Sequence, residues 1–372
     1  MVEFDAHFAG KIKMPTPLIP KALEPGATIA FISPSARLND TFPAVMARAT
    51  AVLSSRGYHV RAFFTQDTGI QSSIANRLSE IRAAFFDPTI SAIICTIGGS
   101  SFTELLPGLI ADTELQSHIR SNPKIVVGYS DITGLHWFLH AFTGLRTFYG
   151  PGAIPELGDA DSAADAAGPL AFCVRHLFAT IAQREPIGAV ARSTAYAPRL
   201  PAFFREPGSA APAELAPTPA WTWLRAGKAQ GRLFGGCLTV VARLHGVASI
   251  VPDWRGRIVF LETAIGDDYV SGNLLSRVRT AFADLIAQGV FEEAAGLVVG
   301  RPFGYDSDKA REEYAGVIKE LLCEGRQAQN PFPILFSVDF GHTRPMVTLP
   351  FDALAVLDSD NDRFAILESG VA

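Results

Sequence analysis

The segment KIVVGYSDITGLHWFLH, residues 124–140, sets the reading of the N-terminal half. Its apolar start ends at Gly128, as a buried strand would. A helix then begins, with Ile132, Leu135, His136 and Leu139 spaced to share one face. Ser130 falls at the junction. A serine there projects from the carboxyl edge of a sheet, where α/β proteins place ligands. The helix start also offers free backbone N–H groups that can stabilise an oxyanion. The alternative is that Ser130 or Asp131 only caps the helix.

Upstream, residues 92–106 read AIICTIGGSSFTELL: an apolar strand, Gly98-Gly99, then a polar helix start. Paired glycines let backbone approach a ligand closely. Their N–H groups are candidates for the other half of an oxyanion hole, or the pair is merely a tight strand-to-helix turn. Neither G-x-x-x-x-G-K-[ST] nor G-x-G-x-x-G occurs here, which argues against a phosphate loop.

The pattern continues outward. Strands are expected at 28–33, 58–64, 92–96 and 125–127, with helices at 41–56 and 75–86 between them. This βαβα rhythm predicts a parallel sheet covered by helices over residues 1–150. Residues 151–225 are rich in Ala, Pro and Asp, with one helix near 170–182. Their proline-dense stretch 198–219 reads as linker and surface loop. Residues 226–372 form a second domain. It has strands at 258–262 and 297–300, a helix at 308–324, and a hairpin pairing 353–357 with 363–367.

A length of 372 residues allows two domains, and 48% hydrophobic residues allow a substantial core. The net charge is -5 with no basic patch, which argues against a nucleic-acid polymer as partner. Glu3 and Asp5 interrupt the start where a secretory signal needs a basic and then apolar run. The longest apolar stretch, 240–251, is broken by Arg243 and His245, so no membrane span is expected. Cys95, Cys173, Cys237 and Cys323 form no C-x-x-C pair and no zinc spacing. They read as reduced thiols of a cytosolic protein, with no metal and no cofactor.

A serine nucleophile needs a base and a group to orient it. His136 and His140 lie on the helix after Ser130 and fit core or surface roles equally. His342 follows Gly341 directly after the strand-like run 334–340, in a loop free to aim an imidazole. Glu262 ends the apolar run 258–261. A carboxylate there needs a partner, either a catalytic one or an arginine such as Arg257 or Arg277. Spacing alone does not choose among these.

At these residues the chain resembles the LD-carboxypeptidase family of serine peptidases, which includes the microcin-C immunity peptidases. The anchors run in order from Pro25-Gly26 to about Leu357: PSA at 34–36, TIGGSS at 96–101, GYSDIT at 128–133 and YGP at 149–151. GRLFGGCL at 231–238, FLET at 260–263 and FGH at 340–342 continue the series. The resemblance implies a triad of Ser130, Glu262 and His342, and an oxyanion hole from the N–H groups of Asp131 and Gly99, with Gly98 beside the substrate. It implies a Rossmann-like N-terminal domain, a β-rich C-terminal α/β domain and a homodimer without metal. The stretch ending in Trp221-Thr222-Trp223 looks like the substrate-covering loop of the immunity branch. That branch is favoured because Thr96-Ile97 precedes the glycine pair, where murein-recycling members typically carry arginine. Cys237 departs from the family, which commonly has asparagine there. A thiol is a poor donor and acceptor, so a less polar substrate is expected.

The expectation is therefore hydrolysis of a small aminoacyl, acyl or peptidyl amide. Murein tetrapeptide and natural-product esters are the other substrates this fold suggests. An ordinary α/β-hydrolase would show G-x-S-x-G, but Ile132 stands at the second glycine. The remaining alternative is a binding protein of the same fold that has lost turnover.

Overall fold

The computed structural model describes residues 17–160 and 168–372, so the N-terminal leader reading falls outside it. Two sheets organise the chain. The first has six strands, in the spatial order Leu349–Pro350, Phe148–Tyr149, Ile125–Gly128, Ile90–Cys95, Thr28–Ile32, His59–Phe63. All pairs are parallel except the one made by Leu349–Pro350. Helices cover both faces, so the inner strands are buried on both sides and read as near-continuous apolar runs, broken at Ser91. The helix Pro43–Ser54 opens on proline, whose missing N–H has no partner to lose in a first turn, and buries Val45, Ala49 and Leu53.

The second sheet has eight strands. Its centre is four parallel strands, Lys228–Cys237, Arg257–Glu262, Gly296–Gly300 and Ile334–Val338. Antiparallel strands flank them, including the expected hairpin, observed as Leu354–Asp358 with Arg363–Ile366.

The segment 151–225 is more than linker. Its helix Pro169–Ile181 buries Leu170, Val174 and Leu177 against Ile29, Phe31 and Val127 of the first sheet. Gly188–Ala189 and Thr222–Arg225 close the two edges of the second sheet. An apolar helix face is costly in water, and this segment buries its own while supplying the two outermost strands of the second sheet.

The two halves share one large apolar core. Trp137 Nε1–H donates to the Gly235 carbonyl at 3.0 Å, and Cys237 N–H donates to Thr133 Oγ1 at 3.1 Å. The carboxyl ends of both parallel sheets thereby meet. Among the described residues, no helix is long and apolar enough to cross a membrane.

Candidate active site

Ser130 sits one residue past the carboxyl end of Ile125–Gly128, where a short 3₁₀ turn leads into the helix Thr133–Thr143. Its φ is 63°, a left-handed value that costs a non-glycine residue roughly 1–2 kcal/mol. Ser130 does not cap, since neither the turn nor the helix has a side-chain cap. Asp131 does not cap either. Its buried carboxylate accepts from Ser35 Oγ at 2.6 Å, Phe102 N–H at 2.9 Å and Arg243 Nη2 at 2.6 Å.

The glycine pair lies directly against this bend. A Cβ on Gly98 would stand 2.7 Å from Ser130 Cβ and 2.9 Å from its Oγ. Gly99 has φ 145°, and a Cβ there would meet Ser35 Oγ at 2.5 Å and Ala36 N at 2.6 Å. The 34–36 motif explains itself here. Ala36 N–H donates to the Gly98 carbonyl at 2.9 Å, while Ser35 ties the turn to Asp131. The backbone N–H groups of Gly99 and Asp131 have no acceptor among the described residues.

Glu262 ends Arg257–Glu262, and His342 follows Ile334–Val338 by four residues. Both stand at the carboxyl edge of the second sheet. Glu262 Oε2 accepts from His342 Nδ1 at 2.7 Å, and His342 Nε2 lies 3.0 Å from Ser130 Oγ. Gly341 permits this approach, because a Cβ there would come within 2.8 Å of Glu262 Oε2. The arginines weighed as partners of Glu262 are engaged elsewhere, Arg257 with Asp352 and Arg277 with Asp267. His136 is a core residue: it bridges Thr147 Oγ1 and the Gly128 carbonyl, and burial pushes it down to about 4.

Two tyrosines that sequence reasoning passed over complete the site. Tyr149 OH donates to Glu262 Oε1 at 2.5 Å and accepts from Ser130 N–H at 3.2 Å. Tyr129 lays its ring edge-on to the His342 imidazole, with centroids 5.1 Å apart, and donates to Glu156 Oε1 at 2.7 Å. Burial pushes the Glu156 carboxyl up. The only sequence signal for Tyr149 was the YGP anchor at 149–151.

Ser130 and His342 open into a cleft of about 790 Å³. Leu38, Ile97, Leu200, Phe204 and Tyr269 give it apolar walls, and Thr239 and Asn273 give polar ones. Three predicted substrate contacts are not on this wall. Trp221 is buried, donating to Asp339 Oδ2 at 2.8 Å with Arg192 stacked on its ring. Trp223 lies on the edge strand Thr222–Arg225 and donates to Asp362 Oδ1 at 2.9 Å. Strand pairing places Trp223, and the bond to Asp339 holds Trp221, outside the cleft lining. The Cys237 thiol is buried behind it, pushed well above the ordinary thiol range by burial and by Glu262. No disulfide links the four cysteines.

Two sheets with parallel strands, covered by helices and meeting at their carboxyl edges around Ser130, His342 and Glu262, define a two-domain mixed α/β protein. The chain belongs to the LD-carboxypeptidase family: its N-terminal domain model matches residues 29–150 and its C-terminal domain model residues 230–357. A putative carboxypeptidase of Vibrio cholerae is 30% identical over 357 residues, covering 94% of this chain and 97% of that relative. The microcin C7 self-immunity protein MccF of Escherichia coli is 30% identical over 362 residues, covering 95% and 96%. The solved structure of MccF in complex with glutamyl sulfamoyl guanosine superposes with a TM-score of 0.82 at 26% identity, covering 96% of this chain and 100% of that one.

Proposed function

We propose that this chain hydrolyses an amide bond in a small aminoacyl or acyl compound, with Ser130 as nucleophile, His342 as general base and Glu262 as the orienting acid. The observation that carries the reading is the continuous hydrogen-bond series Glu262–His342–Ser130 at the floor of the cleft. Glu262 fixes the imidazole with Nδ1 protonated, so Nε2 faces the Ser130 hydroxyl. His342 takes that proton as Oγ attacks the carbonyl carbon. The N–H groups of Gly99 and Asp131 receive the developing oxyanion, and His342 then gives the proton to the leaving nitrogen. Water repeats the sequence on the acyl-enzyme and frees the acid and Ser130. Fluorophosphonate labelling of Ser130 tests the nucleophile and excludes a binding protein that has lost turnover.

The substrate reading rests on the cleft wall. Apolar groups dominate it, and its aspartate and arginine, Asp267 and Arg277, are exposed and paired with each other. MccF is solved with aminoacyl sulfamoyl nucleosides. A comparable amide carrying a flat or apolar group suits the space beside Phe204 and Tyr269, which take over the role first given to Trp221 and Trp223. A side-by-side comparison of kcat/KM on aminoacyl-nucleotide or aryl amides and on murein tetrapeptide tests this. A preference for the tetrapeptide would overturn the substrate reading and leave the triad standing. The homodimer is proposed on the family resemblance; a sedimentation mass of twice the 39.9 kDa chain is the expected result.

A further inference from the structure

We propose that Tyr149 is a positioning residue that couples the nucleophile's backbone to the acid of the triad, an inference resting on the catalytic reading of Ser130, His342 and Glu262. Its hydroxyl is shared between two groups from different sheets. The oxygen accepts from Ser130 N–H at 3.2 Å, and the proton goes to Glu262 Oε1 at 2.5 Å.

Packing alone does not account for a hydroxyl here. Tyr149 is fully buried, with Phe260, Phe340 and Phe351 at centroid distances of 5.4, 6.5 and 6.2 Å. A phenylalanine would fill that space without bringing a polar atom that needs partners. Both hydrogen-bonding capacities of the hydroxyl are instead spent on the site. Burial and the adjacent Glu262 push the Tyr149 phenol well above its ordinary range, so it stays protonated and remains a donor.

The location of Tyr149 suits that coupling. Tyr149 pairs in register with Gly128, at the end of the strand that carries Ser130. On its other side it pairs with Leu349, seven residues past His342. Each carboxylate oxygen of Glu262 therefore has one assigned donor, Tyr149 at Oε1 and His342 at Oε2. With Oε1 held, the carboxylate plane does not rotate, and the imidazole it orients keeps Nε2 on Oγ. The same hydroxyl secures the N–H of a residue whose φ of 63° needs tertiary support.

The test is Tyr149→Phe, which keeps the ring and removes the hydroxyl. The expected result is a fall in kcat of about 10- to 100-fold, the range set by losing one hydrogen bond to a charged group, with KM held within about twofold. Fluorophosphonate labelling of Ser130 should slow in parallel. In the Ser130→Ala background the substitution should cost nothing further, as for groups acting in one unit. The low-field proton resonance of His342 Nδ1–H, identified by its loss in Glu262→Gln, should move. Site-specific 3-fluorotyrosine at position 149, a stronger donor of nearly the same shape, should move that resonance as well, which keeps the proposal testable if Tyr149→Phe folds poorly. A kcat within twofold of wild type, or an unmoved resonance in both variants, would overturn it. Failure of the wild-type enzyme to label at Ser130 would instead overturn the catalytic reading itself.

Discussion

The two halves of the proposed site hold their side chains by different means. In the N-terminal half, backbone does the work. Ser130 is bent into a left-handed conformation, and Gly98 presses against it at a distance no side chain allows. In the C-terminal half, Glu262 ends its strand, His342 follows another by four residues, and hydrogen bonds aim both side chains, with Gly341 leaving them room. A backbone bend is fixed by local sterics and by the turn packed against it. A side-chain aim depends on partners arriving from other parts of the chain. Substitutions in the first half should therefore act through geometry, and those in the second through lost partners.

The largest expected effect removes either end of the series. Ser130→Ala and His342→Ala should each lower kcat by about 10⁴ or more while leaving the fold intact. Activity within tenfold of wild type in either variant would dismiss the triad. Gly98→Ala comes next. Its new methyl group collides with Ser130 at 2.7 Å, and displacing a nucleophile by a fraction of an ångström to an ångström costs about 10²-fold. The same overpacking should lower stability by about 1–3 kcal/mol, so kcat is read at a temperature where the variant is fully folded. Equal activity in Gly98→Ala would mean that the bend is not under steric control.

Acid should weaken the core that the two halves share. His136, His140 and His176 are each pushed down to about 4 by burial, and the first two lie on the helix between the sheets, His136 against Phe351 and His140 against Phe234. Their folded values lie below the ordinary 6.5, so unfolding takes up protons between pH 6.5 and 4. Stability is fully present above pH 6.5 and is lost as pH falls toward 4. For fully buried His136 alone the loss is about 3 kcal/mol, at roughly 1.4 kcal/mol per unit. Urea midpoints measured across that range should fall steadily, and a flat profile would show that these histidines are not held neutral. The smallest effect sharpens the strain argument. Ser130→Gly should raise stability by about 1 kcal/mol, because glycine accepts φ 63° without penalty. A destabilised glycine variant would mean that the hydrogen bonds of Oγ outweigh the bend.

The fate of the predicted contacts shows where sequence reading stops. Residues 151–225 look like a loop because prolines and alanines give no clear period, yet their short strands are the outermost strands of the second sheet. Trp221 and Trp223 look free to cover a substrate. Their indole N–H groups find Asp339 and Asp362, residues far along the chain that no local pattern announces. The asparagine-to-cysteine departure at Cys237 looks like a lost substrate contact, and the thiol turns out to be buried behind the cleft.

By itself the sequence determined the parallel-sheet rhythm of the N-terminal half, the strand–serine–helix junction at Ser130 and the glycine pair that faces it. These are local features, set by periodicity and backbone conformation over a few residues. The family anchors nominated the rest of the proposed triad from outside the chain's own spacing. Only the tertiary structure brought His342 to Ser130 across 212 residues and to Glu262 across 80, and set Tyr149 between them. The physical reason is that parallel sheets gather distant strand ends on one edge, so the partner of a buried carboxylate depends on strand order, which spacing along the chain does not encode.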